Sequence, residues 1–340
     1  MSPIRKSVEA MHGYVPGEQP KDPSIIKLNT NENPYPPSPE VIRVLQEGAH
    51  EKLRLYPDPV CTRLREAIAA LHDCTPEQVL VGNGSDEVLA LCTRAFVEND
   101  GSIGWFVPSY SLYPVLADIR DVETRPVDLG EGFEWSMPDE YHADLFFITN
   151  PNAPTAMMHD LQVVADFCEQ FKGIVVLDEA YVDFADEHGM DLALSMPNVL
   201  VARTLSKSYS LAGIRCGYLV GPEDLIAALY KIKDSYNLNM LTQSAALAAI
   251  QDQAHMRANV ARIRATRDRL IDALKARGWQ LEASSANFVW AKPARPAPEV
   301  FERLRAAGIV VRYFPGPRTG DFIRITIGTD EAIDRLLMVV

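Results

Sequence analysis

The sequence lacks any cysteine pair at C-x-x-C spacing. Its five cysteines, Cys61, Cys74, Cys92, Cys168 and Cys216, are odd in number and scattered. That argues against a disulfide framework and a zinc ribbon, and for a reducing compartment; no metal site is expected. No run approaches eighteen consecutive apolar residues, and the opening MSPIRKSVEAMHGYV has no apolar core of the signal-peptide kind. Neither a membrane span nor a secretion signal is legible, and a cytoplasmic protein is expected. Basic charge is also short: 33 Lys plus Arg against 46 Asp plus Glu give a net charge of −13. A chain this acidic repels phosphate backbones and anionic membranes, so neither is an expected partner. The densest basic stretch, Arg257 to Arg269, sets its arginines at helical spacing among Ala and Ile, the pattern of a solvated helix face. Two nucleotide fingerprints are missing as well. There is no G-x-x-x-x-G-K-[ST] loop, and Gly82-Asn-Gly84-Ser-Asp-Glu87 puts Glu87 where a dinucleotide motif needs its third glycine.

What remains is an ordinary globular composition, 47% hydrophobic and 23% charged over 340 residues, long enough for about two domains. Apolar β-rich runs alternate with helical patterns. Strands are expected at 79–81, 103–107, 145–149, 174–177, 199–202 and 218–220, and helices at 85–98, 110–120 and 161–171. Strands separated by helices imply an α/β fold with a mainly parallel sheet covered on both faces. Ser38-Pro39 and Thr75-Pro76 each read as a helix start, the second with Gln78 completing a capping box. The texture changes after Gly221: two or three helices fill 222–277. Strands follow at 287–291, 309–313 and 322–327, with a helix around 298–307, a small α+β unit of its own. The proline-rich segment before Ser38 shows no periodicity and reads as an extended arm.

Three local patterns carry chemistry. In Val201-Ala-Arg-Thr204-Leu-Ser206-Lys207, a strand ends in hydroxyls and a lysine follows on the turn, with Arg215 eight residues on. Taken alone, Lys207 is most simply a solvated surface lysine. Hydroxyls and a guanidinium around it suit a phosphate ester beside an amine that must lose its proton. In Ile174-Val-Val-Leu-Asp178, an aspartate closes a buried strand, where open α/β sheets place ligands. Such a carboxylate needs a cation or several donors to stay ionised; a protonated pyridine nitrogen would serve. In Val79-Leu-Val-Gly82-Asn-Gly84-Ser85-Asp86, a strand passes through glycines into a helix whose first N–H groups would cradle a phosphate. Pro108-Ser-Tyr110 then offers an aromatic that could be plain packing or could stack on a flat cofactor.

With these motifs together, the sequence resembles the fold-type I pyridoxal-phosphate enzymes and, within them, the histidinol-phosphate aminotransferase family. The resemblance rests on Asn29-x-Asn31-Glu-Asn-Pro34, Tyr56-Pro-Asp58, Gly84-Ser-Asp-Glu87, Asn150-Pro-Asn152-Ala-Pro-Thr155, Asp178-Glu-Ala-Tyr181, Thr204-Leu-Ser-Lys207 and Arg324-Ile-Thr-Ile-Gly328, in family order along nearly the whole chain. It implies a large domain at 38–255 around a mainly parallel seven-stranded sheet and a small α+β domain at 256–340, the latter joined by part of the 1–37 arm. It implies pyridoxal 5′-phosphate as cofactor, Lys207 as the Schiff-base lysine and proton carrier, and Asp178 as partner of the pyridine nitrogen. Tyr181 is expected on the ring's phenolic oxygen and Tyr110 on its face. Ser85, Asp86, Thr204, Ser206 and Arg215 are expected around its phosphate. Tyr56 would reach that phosphate from a second subunit, making a homodimer with shared sites the functional unit. Tyr14, Tyr56, Arg312 and Arg324 match positions that hold substrate, with Arg324 accepting either the carboxylate of glutamate or the phosphate of histidinol phosphate. The implied reaction is transamination of histidinol phosphate with 2-oxoglutarate; an aromatic or broad-range aminotransferase and a threonine-phosphate decarboxylase share the pattern. One departure stands out. The family often reads Pro-Asn-Asn-Pro-Thr-Gly, its second Asn on the ring oxygen, and here Ala153 takes that place. Either Asn152 substitutes or Tyr181 acts alone.

Overall fold

Residues along each central strand alternate between two hydrophobic cores, which is why the sheet is covered on both faces. In the computed structural model, which describes residues 2–48 and 51–340, Leu80, Ile103, Leu145, Phe147, Val176, Leu200 and Leu219 face one core. Their neighbours Val79, Val81, Phe146, Ile148, Val175, Leu177, Val199, Val201 and Val220 face the other. That is the period-two signature of strands buried on both sides.

In chain order the strands are β1 (Ile26–Lys27), β2 (Val79–Gly82), β3 (Ser102–Val107), β4 (Glu123–Asp128), β5 (Leu145–Thr149), β6 (Ile174–Asp178), β7 (Val199–Thr204), β8 (Gly217–Val220), β9 (Phe288–Ala291), β10 (Ile309–Val310), β11 (Arg312–Tyr313) and β12 (Ile323–Thr326). The main helices are α1 (Lys6–Ala10), α2 (Pro39–Gly48), α3 (Thr62–Leu71), α4 (Ser85–Phe96), α5 (Leu112–Arg120), α6 (Leu161–Gln170), α7 (Met190–Ser195), α8 (Glu223–Ile232), α9 (Met240–Gln251), α10 (Gln253–Lys275), α11 (Ala297–Ala306) and α12 (Asp330–Leu337). The large sheet has seven strands in the order β2-β8-β7-β6-β5-β3-β4. Only β8 runs against the rest, antiparallel to both β2 and β7. The carboxyl ends of β3, β5, β6 and β7 therefore lie side by side, bringing Val107, Thr149, Asp178 and Thr204 to one rim.

Several local expectations need correction. Glu123–Asp128 is a strand that the sequence hides, because it lies at the sheet edge with mostly exposed residues and carries Pro126, which only an edge tolerates. The capping box of Thr75 and Gln78 forms, but around a short 3-10 turn at Pro76–Gln78 that feeds β2, not a helix. The expected strand 309–313 is two strands broken at Val311: β10 pairs in parallel with β1 of the arm, and β11 pairs with β12. So the arm is not merely extended; it contributes a strand. Nor is the basic stretch of α10 a wholly solvated face. Arg267 is buried and donates to the carbonyls of Phe184 and Ala286, while Arg269 pairs with Asp330 and Asp334. Among the described residues no helix is long and apolar enough to cross a membrane.

Candidate active site

A cavity of about 650 Å³ opens at the carboxyl rim of the large sheet, walled on its far side by the arm and by β11 and β12. Asp178 ends β6 at its floor, 3% exposed. Its Oδ2 accepts the Tyr113 hydroxyl at 2.9 Å and its Oδ1 the Ala180 N–H at 3.2 Å. Burial pushes this carboxyl up to about 6, against the pull of those two donors. A cation supplied to its remaining lone pairs would restore the charge.

The next strand, β7, ends in Thr204, and the chain turns through Ser206 and Lys207. Thr204 donates to Ser206 Oγ at 3.0 Å, and Arg215 Nη1 approaches the same oxygen at 3.4 Å. Opposite stands the first turn of α4, entered through Gly84 at φ 86°, a left-handed conformation that favours glycine. A Cβ on Gly84 would lie 2.5 Å from Arg215 Nη2, and one on Gly217 would lie 2.5 Å from Ser85 N. These two glycines let the helix start, the strand and the guanidinium close around one small anion-sized space, the arrangement a phosphate group requires. Asp86 holds Arg215 at 3.3 Å and accepts the Tyr110 hydroxyl at 3.0 Å. Tyr110 lines the cavity between Asp86 and Tyr14, its phenol pushed far up by burial and then by Asp86.

Lys207 Nζ points into the cavity, 3.4 Å from Thr30 O and 5.7 Å from the centre of the Tyr181 ring. The Tyr181 oxygen accepts Asn31 Nδ2 at 3.0 Å, and Asn31 Oδ1 in turn accepts Thr326 Oγ1 at 2.9 Å. Since Asn31 already donates to it, Tyr181 has its own proton free for the cavity.

On the far wall, Arg312 and Arg324 are register partners across the β11–β12 ladder. Arg324 donates to Asn29 O at 2.8 Å and lies over Phe288 and Phe314, its Nε buried without a partner. Burial first, and then Arg312, lowers its hold on its proton. Arg312 reaches Val15 O at 3.4 Å. Among the described residues neither forms an ion pair, so two guanidinium groups face the cavity uncompensated by a carboxylate. Tyr14 lines the same mouth.

Two expected site residues lie elsewhere. Asn152 does not line the cavity: its Nδ2 donates to Pro108 O and Thr155 Oγ1, and its Oδ1 accepts Ser109. Both its amide hydrogens are spent on the loop, while Ala153 and Pro154 form the wall. Asn152 is therefore not the substitute for the missing asparagine. Tyr56 is 79% exposed and stacks on Tyr236 at 4.4 Å, outside this cavity. Conversely, Asn31, Tyr113 and Thr149 belong to the site without having been assigned roles. Asn31 sat in a recognised motif, and Tyr113, three residues after Tyr110, carries the helical spacing that could have flagged it.

The sequence is matched by the model of aminotransferases of class I and II over residues 23–340. It is 44% identical over 338 residues to a histidinol-phosphate aminotransferase of Geobacter sp. (strain M21), covering 98% of this chain and 97% of that one. A protein of the same name from Rhodopirellula baltica is 42% identical over 343 residues, covering 99% and 94%. Among solved structures, histidinol-phosphate aminotransferase from Sinorhizobium meliloti, in complex with pyridoxal-5′-phosphate, superposes with a TM-score of 0.88 at 23% identity, covering 99% of this chain and 96% of that chain. Aspartate aminotransferase from Thermus thermophilus, solved with maleate, follows at 0.80 and 21%, covering both chains fully. These two likenesses speak for the fold alone. Similar in sequence over nearly its whole length, and folded around a rim of the residues just described, this chain belongs to the histidinol-phosphate aminotransferase family within the class I and II aminotransferases.

Proposed function

We propose that this protein transfers the amino group of histidinol phosphate to 2-oxoglutarate, with pyridoxal 5′-phosphate as its cofactor, in a homodimer. The observation that carries the substrate reading is the pair Arg312 and Arg324, adjacent on one ladder, facing the cavity and free of any carboxylate among the described residues. A planar guanidinium fork accepts a carboxylate or a phosphate equally well, so one site can serve both amino donor and acceptor.

The residues present fit the cofactor. The cup of Ser85, Ser206, Thr204 and Arg215 suits its phosphate, and the buried, reluctantly ionised Asp178 suits a protonated ring nitrogen. Pyridoxal phosphate, when bound, supplies a carbonyl carbon open to amines and a ring able to hold negative charge. The chain supplies the rest. Lys207 would offer the amine that meets the carbonyl and would serve as the base that moves the substrate's α-proton. Asp178 holds the proton on the ring nitrogen. Tyr181, its oxygen already served by Asn31, donates to the ring's phenolic oxygen without help from Asn152. Tyr110 covers the ring and, through Asp86, stays tied to Arg215.

The homodimer is supported by Tyr56 and Tyr236, a stacked pair set among the exposed side chains of Leu53, Leu55 and Val60. A surface of this kind asks for a partner, and Tyr56 has no place in its own cavity. We also take 38–255 and 256–340, the latter with part of the 1–37 arm, as the two bodies flanking the cavity, a division supported by their separate sheets and by the pairing of β1 with β10. The five free cysteines support a reducing, cytoplasmic setting.

Initial rates with 2-oxoglutarate as acceptor test the reading. Histidinol phosphate should exceed phenylalanine in kcat/KM by about tenfold or more, since each charge-assisted contact to its phosphate is worth ~1.5–3 kcal/mol. Parity, or preference for phenylalanine, would make a broad-range aromatic aminotransferase the better account.

A further inference from the structure

We infer that Tyr113, supported by Thr149, is a positioning residue of the reaction: it sets the ionisation and aim of Asp178 from beneath the cavity floor. The inference rests on the proposed reading that Asp178 meets the cofactor's ring nitrogen.

The geometry leaves little freedom. Tyr113 is fully buried and lies flat on Phe147, ring centres 4.6 Å apart and planes 5° from parallel. Its hydroxyl is 2.9 Å from Asp178 Oδ2 and 2.5 Å from Thr149 Oγ1. Thr149 Oγ1 is in turn 3.1 Å from Ser109 Oγ, which is 3.2 Å from Asn152 Oδ1. The proton directions follow from the two ends. Pro108 O can only accept, so it fixes the Asn152 amide with Nδ2 toward it and Oδ1 toward Ser109. Ser109 therefore spends its proton on Asn152. An ionised Asp178 can only accept, so Tyr113 spends its proton there. Thr149, left between them, gives its proton to the nearer oxygen, that of Tyr113. A phenol that receives a hydrogen bond is a stronger donor to the next acceptor.

The consequence concerns which oxygen stays free. Tyr113 occupies Oδ2 and the Ala180 N–H occupies Oδ1, so the carboxylate cannot rotate, and its open lone pairs face the cavity. The charge is under pressure from other quarters. Besides burial, Asp86 from α4 and the adjoining Glu179 both oppose ionisation of Asp178. The same cavity is also lined by Glu32, by the phenols of Tyr14, Tyr110 and Tyr181, and by the cationic side chains of Lys207, Arg215, Arg312 and Arg324. Tyr113 supplies the one side-chain hydrogen bond that Asp178 receives among the described residues.

The test uses the loaded enzyme and a binding measurement in parallel. Tyr113→Phe keeps the ring on Phe147 and removes only the hydroxyl. Retention of pyridoxal phosphate on equilibrium dialysis and kcat/KM are each followed between pH 5 and 9. The expected result is that the acid limb of both profiles moves up by about one pH unit, the size of one charge-assisted hydrogen bond. At alkaline pH both curves should return to within about threefold of wild type. Thr149→Val should move the limb in the same direction by less, and Thr149→Ser should restore it. Tyr113→Phe profiles that coincide with wild type, or that fall by one factor at every pH, would overturn the inference by making Tyr113 a packing residue. If Tyr113→Phe does not fold, the Thr149→Val and Thr149→Ser pair decides on the same criterion. Failure of the wild-type protein itself to retain pyridoxal phosphate would sink the underlying reading instead.

Discussion

At the residue scale, Lys207 and Asp178 sit at the ends of neighbouring strands yet are held in opposite ways. Lys207 is held through one long contact to Thr30 O, which leaves its amine free to move. Borohydride treatment of the loaded protein should leave a pyridoxyl adduct on Lys207 in a peptide map, and Lys207→Ala should be colourless and inactive. Asp178 is pinned at both oxygens and raised from an ordinary value near 3.8 to about 6 by burial. In the cofactor-free protein, the native state thus binds more protons than the unfolded chain between about pH 4 and 6, so stability falls as pH rises through that window. Removing the charge should remove the penalty. Cofactor-free Asp178→Asn should match wild type near pH 4 and exceed it at pH 8 by on the order of 3 kcal/mol at most, measured by urea unfolding. The loaded variant should show the reverse, weaker cofactor retention and loss of most activity. Across the cavity, Arg324 lies within β12 and is anchored to Asn29 O, whereas Arg312 makes one long contact to Val15 O. Arg324→Ala should slow glutamate and histidinol phosphate alike, by roughly ten- to a hundredfold in kcat/KM. Arg312→Ala should spare glutamate, and Arg324→Lys should recover little because it keeps the charge and loses the fork.

At the element scale, α10 is fastened by unequal arginines. Arg264 reaches the exposed Asp186 at the surface, a contact worth under ~1 kcal/mol. Arg267 is buried and donates to two carbonyls, those of Phe184 and Ala286, of which Ala286 O has a second donor only in the distant Ser284 Oγ at 3.4 Å. Arg267→Met should therefore cost about 2–4 kcal/mol, and Arg264→Met only a few tenths, a contrast that differential scanning calorimetry of the two variants reads directly. The same helix shows where sequence reasoning runs out. Its arginine spacing was visible, but which arginine turns inward depends on the turn at Phe184, 83 residues away in the chain. Buried strands were legible because burial on both faces forces continuous apolar runs, as at 145–148 and 174–177. The edge strand Glu123–Asp128 was not, because a strand paired on one side and open to water has no such requirement. In the site, Asp178 is marked by its place at a strand end, whereas Lys207 is marked only by the company of Thr204, Ser206 and Arg215. Asn152 misled because an asparagine next to Ala153 looks free, and only the fold shows both its donor hydrogens already given to Pro108 O and Thr155 Oγ1.

At the scale of the whole molecule, the proposed homodimer would build its sites from two subunits, with the exposed Tyr56 crossing between them. Mixing Lys207→Ala with Tyr56→Ala subunits should restore about a quarter of wild-type activity if pairing is random, because half the dimers are mixed and each of those carries one intact site. No recovery in heterodimers shown to form would put Tyr56 outside the partner's site. The short parallel pairing of β1 with β10 has a consequence of another kind, for the order in which the protein is made. Ile26 and Ile309 are register partners, and 309 − 26 leaves 283 residues of synthesis between them. At ~5–20 residues per second, the arm waits on the order of a quarter of a minute to a minute on the ribosome before its partner strand exists. Asn31, which receives a hydrogen bond from Thr326 and gives one to Tyr181, waits longer still. The large sheet can fold while the chain is being made; the catalytic cavity cannot close until translation has passed Thr326. Nascent chains stalled at residue 300 should therefore protect the β5–β7 core from protease while the first thirty residues are cut freely.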